Sequence, residues 1–153
     1  MKPLWTEQKS MHLSRILTIV FAAVVAAADL GGWWLVEFIC KNILIDHGTV
    51  GRITLLLALY LCSAPAYVAL ACLYRLLKNI GTDRVFIAEN VVYLHRISLC
   101  CALVAVIGLM ASPVWYSLIL IAAAAAFMGL IVRVVKNVFV RAIGMKDELD
   151  YTV

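Results

Sequence analysis

The chain has 153 residues (16.9 kDa); 65% are hydrophobic, 14% are charged, the mean hydropathy is +1.02 and the formal net charge is +4. An average soluble domain is roughly 45–50% apolar and about 25% charged, and one of this length buries only about 70% of what its unfolded chain exposes. The excess apolar surface excludes a soluble enzyme, a disordered chain, a nucleic-acid-binding domain and a disulfide-stapled secreted scaffold, and leaves a small polytopic membrane protein.

A basic arm (Lys2, Lys9, Arg15) leads into the first apolar segment, 16–38. A hydrocarbon core about 30 Å thick needs roughly 20 apolar residues per spanning helix, so this segment is a span. Ala26, Ala27 and Ala28 before Asp29 imitate a signal-peptide cleavage site. Apolar character resumes at once through Trp33, Trp34, Leu35 and Val36, so an uncleaved span is expected. Asp29 is an acid inside that span, which costs on the order of 3 kcal/mol. Helical spacing puts Asp29, Trp33, Glu37 and Lys41 on one stripe. Two readings stand for Asp29. One is a proton- or ion-coupled site, or a counter-charge for a cationic ligand. The other, which is the expectation, is a tie to Tyr60, Ser63 or Ser117 on neighbouring helices. Gly31 and Gly32 mark an irregular outer end.

The second span is expected at 53–73, followed by an inner loop over 74–96. Gly81, Thr82 and Asp83 are turn residues. After them Ile87, Val91 and Leu94 share one helical face, while Glu89, Tyr93 and Arg96 share another. The third span, 97–111, and the fourth, 115–135, are joined by a link of about five residues around Pro113, which demands a tight antiparallel hairpin. In the tail, 136–153, the apolar residues Val138 and Phe139 continue the pattern of Val134 and Val135, with Arg133, Lys136, Asn137 and Arg141 on another side. Gly144 is the expected helix stop. The fold class is therefore an all-α integral membrane protein. It is one membrane domain, a four-helix antiparallel bundle with its third and fourth helices extended into the cytoplasm as a stalk.

Eleven of the thirteen basic residues fall in the N-terminal arm, the 74–96 loop or the C-terminal end. Positive-inside bias then places both termini in the cytoplasm. Trp33, Trp34, Trp115 and Tyr116 fall near the outer interface, as an aromatic belt does. Small residues recur at Ala23, Ala27 and Gly31 and again at Ala122, Ala126, or Ala125 and Gly129, a spacing that lets helices approach closely in lipid. Packing between the first and fourth spans of one chain is expected, with a homodimer seam as the alternative. Cys40, Cys62, Cys72, Cys100 and Cys101 form no metal or CxxC spacing and read as small hydrophobes. His12, His47 and His95 are scattered. No nucleophile–base pair or phosphate loop appears, so neither catalysis nor a cofactor is expected.

The run Phe86, Ile87, Ala88, Glu89, Asn90, Val91, Val92, Tyr93, Leu94, His95, Arg96, Ile97 resembles the inner-loop signature of domain-of-unknown-function family 2975, small bacterial membrane proteins of four spans. The ending, with Asp150, Thr152 and Val153, is similar to that family's tail. The resemblance implies a membrane partner for a small helix-turn-helix regulator, because such regulators are commonly encoded beside family members. Candidate interaction residues are accordingly Phe86, Glu89, Asn90, Leu94, Asp150 and Thr152 on the cytoplasmic side of a bacterial plasma membrane, with no direct nucleic-acid contact. The alternative is a small transporter or channel, dimeric in one version, that uses Asp29.

Overall fold

The structure, a computed structural model, describes residues 7–42, 48–82 and 84–151, with backbone only at 7–10 and 150. Among these residues there is no strand. The helices are α1 (Glu7–Leu30), α2 (Gly32–Asn42), α3 (Gly48–Ile80), α4 (Ala88–Ala111) and α5 (Leu118–Tyr151). Four stretches, Met11–Leu30, Gly48–Ile80, Ala88–Ala111 and Leu118–Leu149, are long and apolar enough to cross a membrane. Their outward faces carry Phe21, Leu57, Val106 and Phe127, each more than half exposed, which is a surface made for lipid. This is an all-α, multi-pass membrane protein.

The 16–38 segment is not one helix. It breaks at Gly31, although the ladder carries across the break: Gly31 N–H donates to Ala27 O, and Leu35 N–H to Gly31 O, both at 2.9 Å. The physical reason lies at Gly32. A Cβ there would stand 2.9 Å from the Tyr60 hydroxyl and 3.1 Å from Leu59 Cδ2, so any larger residue would have to displace these side chains as the chain turns against α3. α2 then carries Val36 and Cys40 into a small core with Trp115, flanked by Leu55, Leu56, Val114 and Leu118. Trp115 is 3% exposed and its indole N–H donates to Gly51 O at 2.9 Å. It pins the α4–α5 link to the start of α3 rather than facing lipid; Trp33, Trp34 and Tyr116 do face outward. Cys40 is likewise buried, not presented to the outside.

Each long helix packs antiparallel on the next in the order α1, α3, α4, α5, with α4 against α5 the most extensive pair. α1 and α5 do not touch, which overturns the expected packing between them. The short 112–117 link forces α5 back along α4, and the small residues of α5 serve that contact instead. A Cβ at Gly108 would lie 3.1 Å from Ala122 Cβ, and one at Gly129 would lie 3.2 Å from Cys101 Cβ. Ser98 Oγ donates to Gly129 O at 3.1 Å across the same seam. On α1, Ala23 and Ala27 face outward.

Two further boundaries differ from expectation. α4 starts at Ala88, as the expected extension of the third helix requires, but α3 runs past 73 to Ile80, so the link proper is 81–87. Gly144 does not stop α5, which continues to Tyr151. A Cβ at Gly144 would meet nothing within 4 Å, and an exposed glycine inside a helix costs only about 1 kcal/mol relative to alanine.

Candidate functional site at the basic end

The turn between α3 and α4 is built around one amide. Asn90 is fully buried (0% exposed), and its Nδ2 donates to Arg84 O at 2.9 Å and to Val85 O at 2.7 Å. Its Oδ1 accepts from Asn79 Nδ2 at 2.9 Å. One side chain thereby satisfies two carbonyls of an irregular link and the last turn of α3, where neither helix supplies partners. From α1, Arg15 reaches the same place, donating from Nη2 to Leu77 O at 3.3 Å and Lys78 O at 3.5 Å. A cation on the terminal carbonyls of α3 meets the negative end of its macrodipole. Gly81 makes room for it, because a Cβ there would collide with the Arg15 guanidinium.

On the α5 side, Phe86 lies against Phe139 with ring centroids 6.0 Å apart at 43°. Phe86 is nonetheless about half exposed, and Glu89 is exposed beside it. Leu94 is buried, 5% exposed. The four described candidates therefore separate. Phe86 and Glu89 form a surface; Asn90 and Leu94 hold the turn beneath it. The Asp150 side chain, Thr152 and the turn residue Asp83 lie outside the described residues, as do Lys2, His47 and Val153.

Beyond Phe139 the helix outruns its support. α5 has 34 residues, about 51 Å at 1.5 Å per residue, whereas a bilayer core takes roughly 20 residues. Past it, Met145 (60% exposed) and Leu149 (68% exposed) share one helical face in line with Val138. Arg141, Lys146, Asp147 and Glu148 are exposed among them. This end thus presents an apolar stripe within mixed charge, continuous with a rigid helix.

Asp29 stands apart, fourteen residues along α1 from Arg15, about 21 Å. Its Oδ2 accepts from the Tyr67 hydroxyl at 3.0 Å, and its backbone carbonyl accepts from the Tyr60 hydroxyl at 3.1 Å. Oδ1 is buried with no hydrogen-bond partner among the described residues. The carboxylate is tied to α3, but through Tyr67; Ser63 bonds its own helix at Tyr60 O. A groove of about 290 Å³ between α1 and α3 runs from Thr18 and Ala22 to Tyr67, which it shares with Asp29's hydrogen bond, without including Asp29 in its walls. At the end of α2, Lys41 donates to Glu37 at 2.7 Å and holds that carboxyl below its usual range. No group of three or more His, Cys, Asp or Glu able to hold a metal occurs among the described residues.

The family model described as "Protein of unknown function (DUF2975)" matches residues 41–153, about three quarters of the chain. The chain belongs to that family. The DUF2975 match takes in α3, α4, α5 and the Asn90 turn, and begins after Asp29 and Arg15. No curated protein and no solved structure matches the chain. Sequence reasoning missed Asn79, Tyr67 and Arg15 as partners. The signal for Asn79 was a second asparagine eleven residues before Asn90 across a Gly81 turn; Tyr67 and Arg15 act over separations of 38 and 62 residues that no local pattern marks.

Proposed function

We propose that this protein sits in the plasma membrane of a bacterium with both termini in the cytoplasm, and that its basic end docks a cytosolic helix-turn-helix regulator. The observation that carries this reading is the outrun of α5. An uninterrupted helix that leaves the bilayer cannot lie flat on it, so Met145 and Leu149 stand in water unless a protein covers them. An amphipathic helix seated in a partner's groove is a common way to cover such a stripe. Phe86 and Glu89 flank the base of that helix, and the family match includes the whole region. Positive-inside bias supports the orientation, since this end gathers Arg75, Lys78, Arg84, Arg133 and Lys136. The test is deletion of 147–153 alongside Met145→Glu. Membrane abundance stays at the wild-type level, co-purification of the regulator is lost, and transcription of neighbouring genes changes. Retained co-purification and unchanged transcription in both variants refute the reading.

A second reading rests on the unpartnered Oδ1 of Asp29, which leaves one acceptor open inside a span for a proton or a cation. Asp29→Asn in proteoliposomes decides it: loss of a proton- or ion-dependent flux establishes transport, and absence of any flux in the wild type removes it.

A further inference from the structure

We infer that the groove between α4 and α5 binds one anionic phospholipid of the leaflet at the basic end, with an acyl chain in the groove and the phosphate on Arg133. The groove holds about 310 Å³ and is walled by Ser98, Ala102, Ala105, Ala126, Gly129 and Leu130, with Arg133 at its end. Its floor is shallow because the helices meet closely at Gly129, where Ser98 crosses to the backbone carbonyl. Small side chains above that floor leave a trough on the lipid-facing side. The comparable grooves between α3 and α4 (about 200 Å³) and between α1 and α3 (about 290 Å³) have no charged side chain in their walls. Charge at one end of an apolar trough matches the chemistry of an anionic lipid.

The depth of Arg133 strengthens the case. It lies fifteen residues past Leu118, about 22 Å along a helix that needs about 30 Å to cross the hydrocarbon. Helical Cα–Cβ bonds lean toward the N-terminus, so the stem of Arg133 sets out toward the bilayer centre, away from the nearer interface. Snorkelling is therefore working against the backbone at this position. No hydrogen bond or ion pair engages Arg133 among the described residues. A headgroup phosphate drawn toward the guanidinium supplies the missing counter-charge, and the trough accommodates the chain that comes with it.

The experiment is native mass spectrometry of the delipidated, detergent-solubilised full chain, titrated with phosphatidylglycerol or with phosphatidylcholine of the same acyl chains. The wild type retains one phosphatidylglycerol in preference to phosphatidylcholine. Arg133→Gln reduces that preference by about fivefold, the effect of one interfacial cation. Ala126→Leu fills the trough and lowers retention of both lipids, while Lys136→Gln, outside the groove walls, changes the preference less than Arg133→Gln does. Ala126 faces lipid, so the variant tests the groove without disturbing the α4–α5 seam; Ala102→Val is the second filler should it fail to fold. Equal retention of the two lipids by the wild type, or an unchanged preference in Arg133→Gln, overturns the inference.

Discussion

Asn90 sets the geometry of the basic end from a single buried amide. Removing it leaves the Arg84 and Val85 carbonyls and the Asn79 amide without partners, and a buried unsatisfied group costs about 1–3 kcal/mol. Asn90→Leu is therefore expected to destabilise the protein by roughly 2–4 kcal/mol, read as a large fall in the detergent melting temperature. Glu89→Lys, one residue away and exposed, lowers melting far less than Asn90→Leu, by the loss of one acid from the first turn of α4, and weakens regulator binding. That pair of outcomes separates holding the surface from being the surface. Asp29→Asn keeps an oxygen for the Tyr67 hydroxyl, so melting changes little. At Glu37 the sign follows from Lys41. A lowered carboxyl pKa means the pair's stabilisation is present above the ordinary glutamate value and is lost as pH falls through the lowered one. The pair is exposed, so Glu37→Gln shifts the melting temperature below what a scan detects. The sequence marked Asn90 and Glu89 as a polar pair worth attention, but not which of them points inward. That depends on where α3 ends and whether Asn79 meets the turn, a contact made only after folding.

At the scale of elements, α5 is the helix whose behaviour matters most. Gly144 sits inside it with open space around, so Gly144→Ala is expected to raise stability by about 1 kcal/mol or less and to leave regulator binding intact. A loss of binding in that variant identifies Gly144 as a needed flexible joint instead. Existence of the four spans was legible because apolar length alone decides it in lipid. Element ends were not. Gly31–Gly32 read as an irregular end and Gly144 as a stop, yet the helix breaks only at the first site, where Gly32 presses against Tyr60 and Leu59, and passes through the second, where nothing presses. A glycine permits a bend; a neighbour decides whether one occurs. The α4–α5 hairpin was legible from its short link, whereas the layered order α1, α3, α4, α5 was not, because the small-residue rows fit several partners equally well.

For the whole molecule, the two ends have different characters. One end is closed by Trp115, Val36 and Cys40 and tied to Gly51, with a short link and, among the described residues, the exposed Glu37–Lys41 pair. The other gathers the cations, the Arg15 contact on α3, the Asn90 turn and the overhanging α5. Labelling of single cysteines in intact cells follows from the proposed orientation. Tyr116→Cys reacts with an impermeant thiol reagent, Glu89→Cys does not, and Cys40 reacts slowly because it is 2% exposed. The overhang of α5 is proposed as a docking element for a cytosolic regulator. Its most direct test is a photo-crosslinking residue placed at Met145 in living cells, with the same residue at lipid-facing Ile119 as the reference. The structure and the proposed orientation together predict an adduct with a helix-turn-helix protein from position 145 and none from position 119. An adduct only with lipid, only with a second copy of the chain, or with no protein at all from position 145 would contradict it.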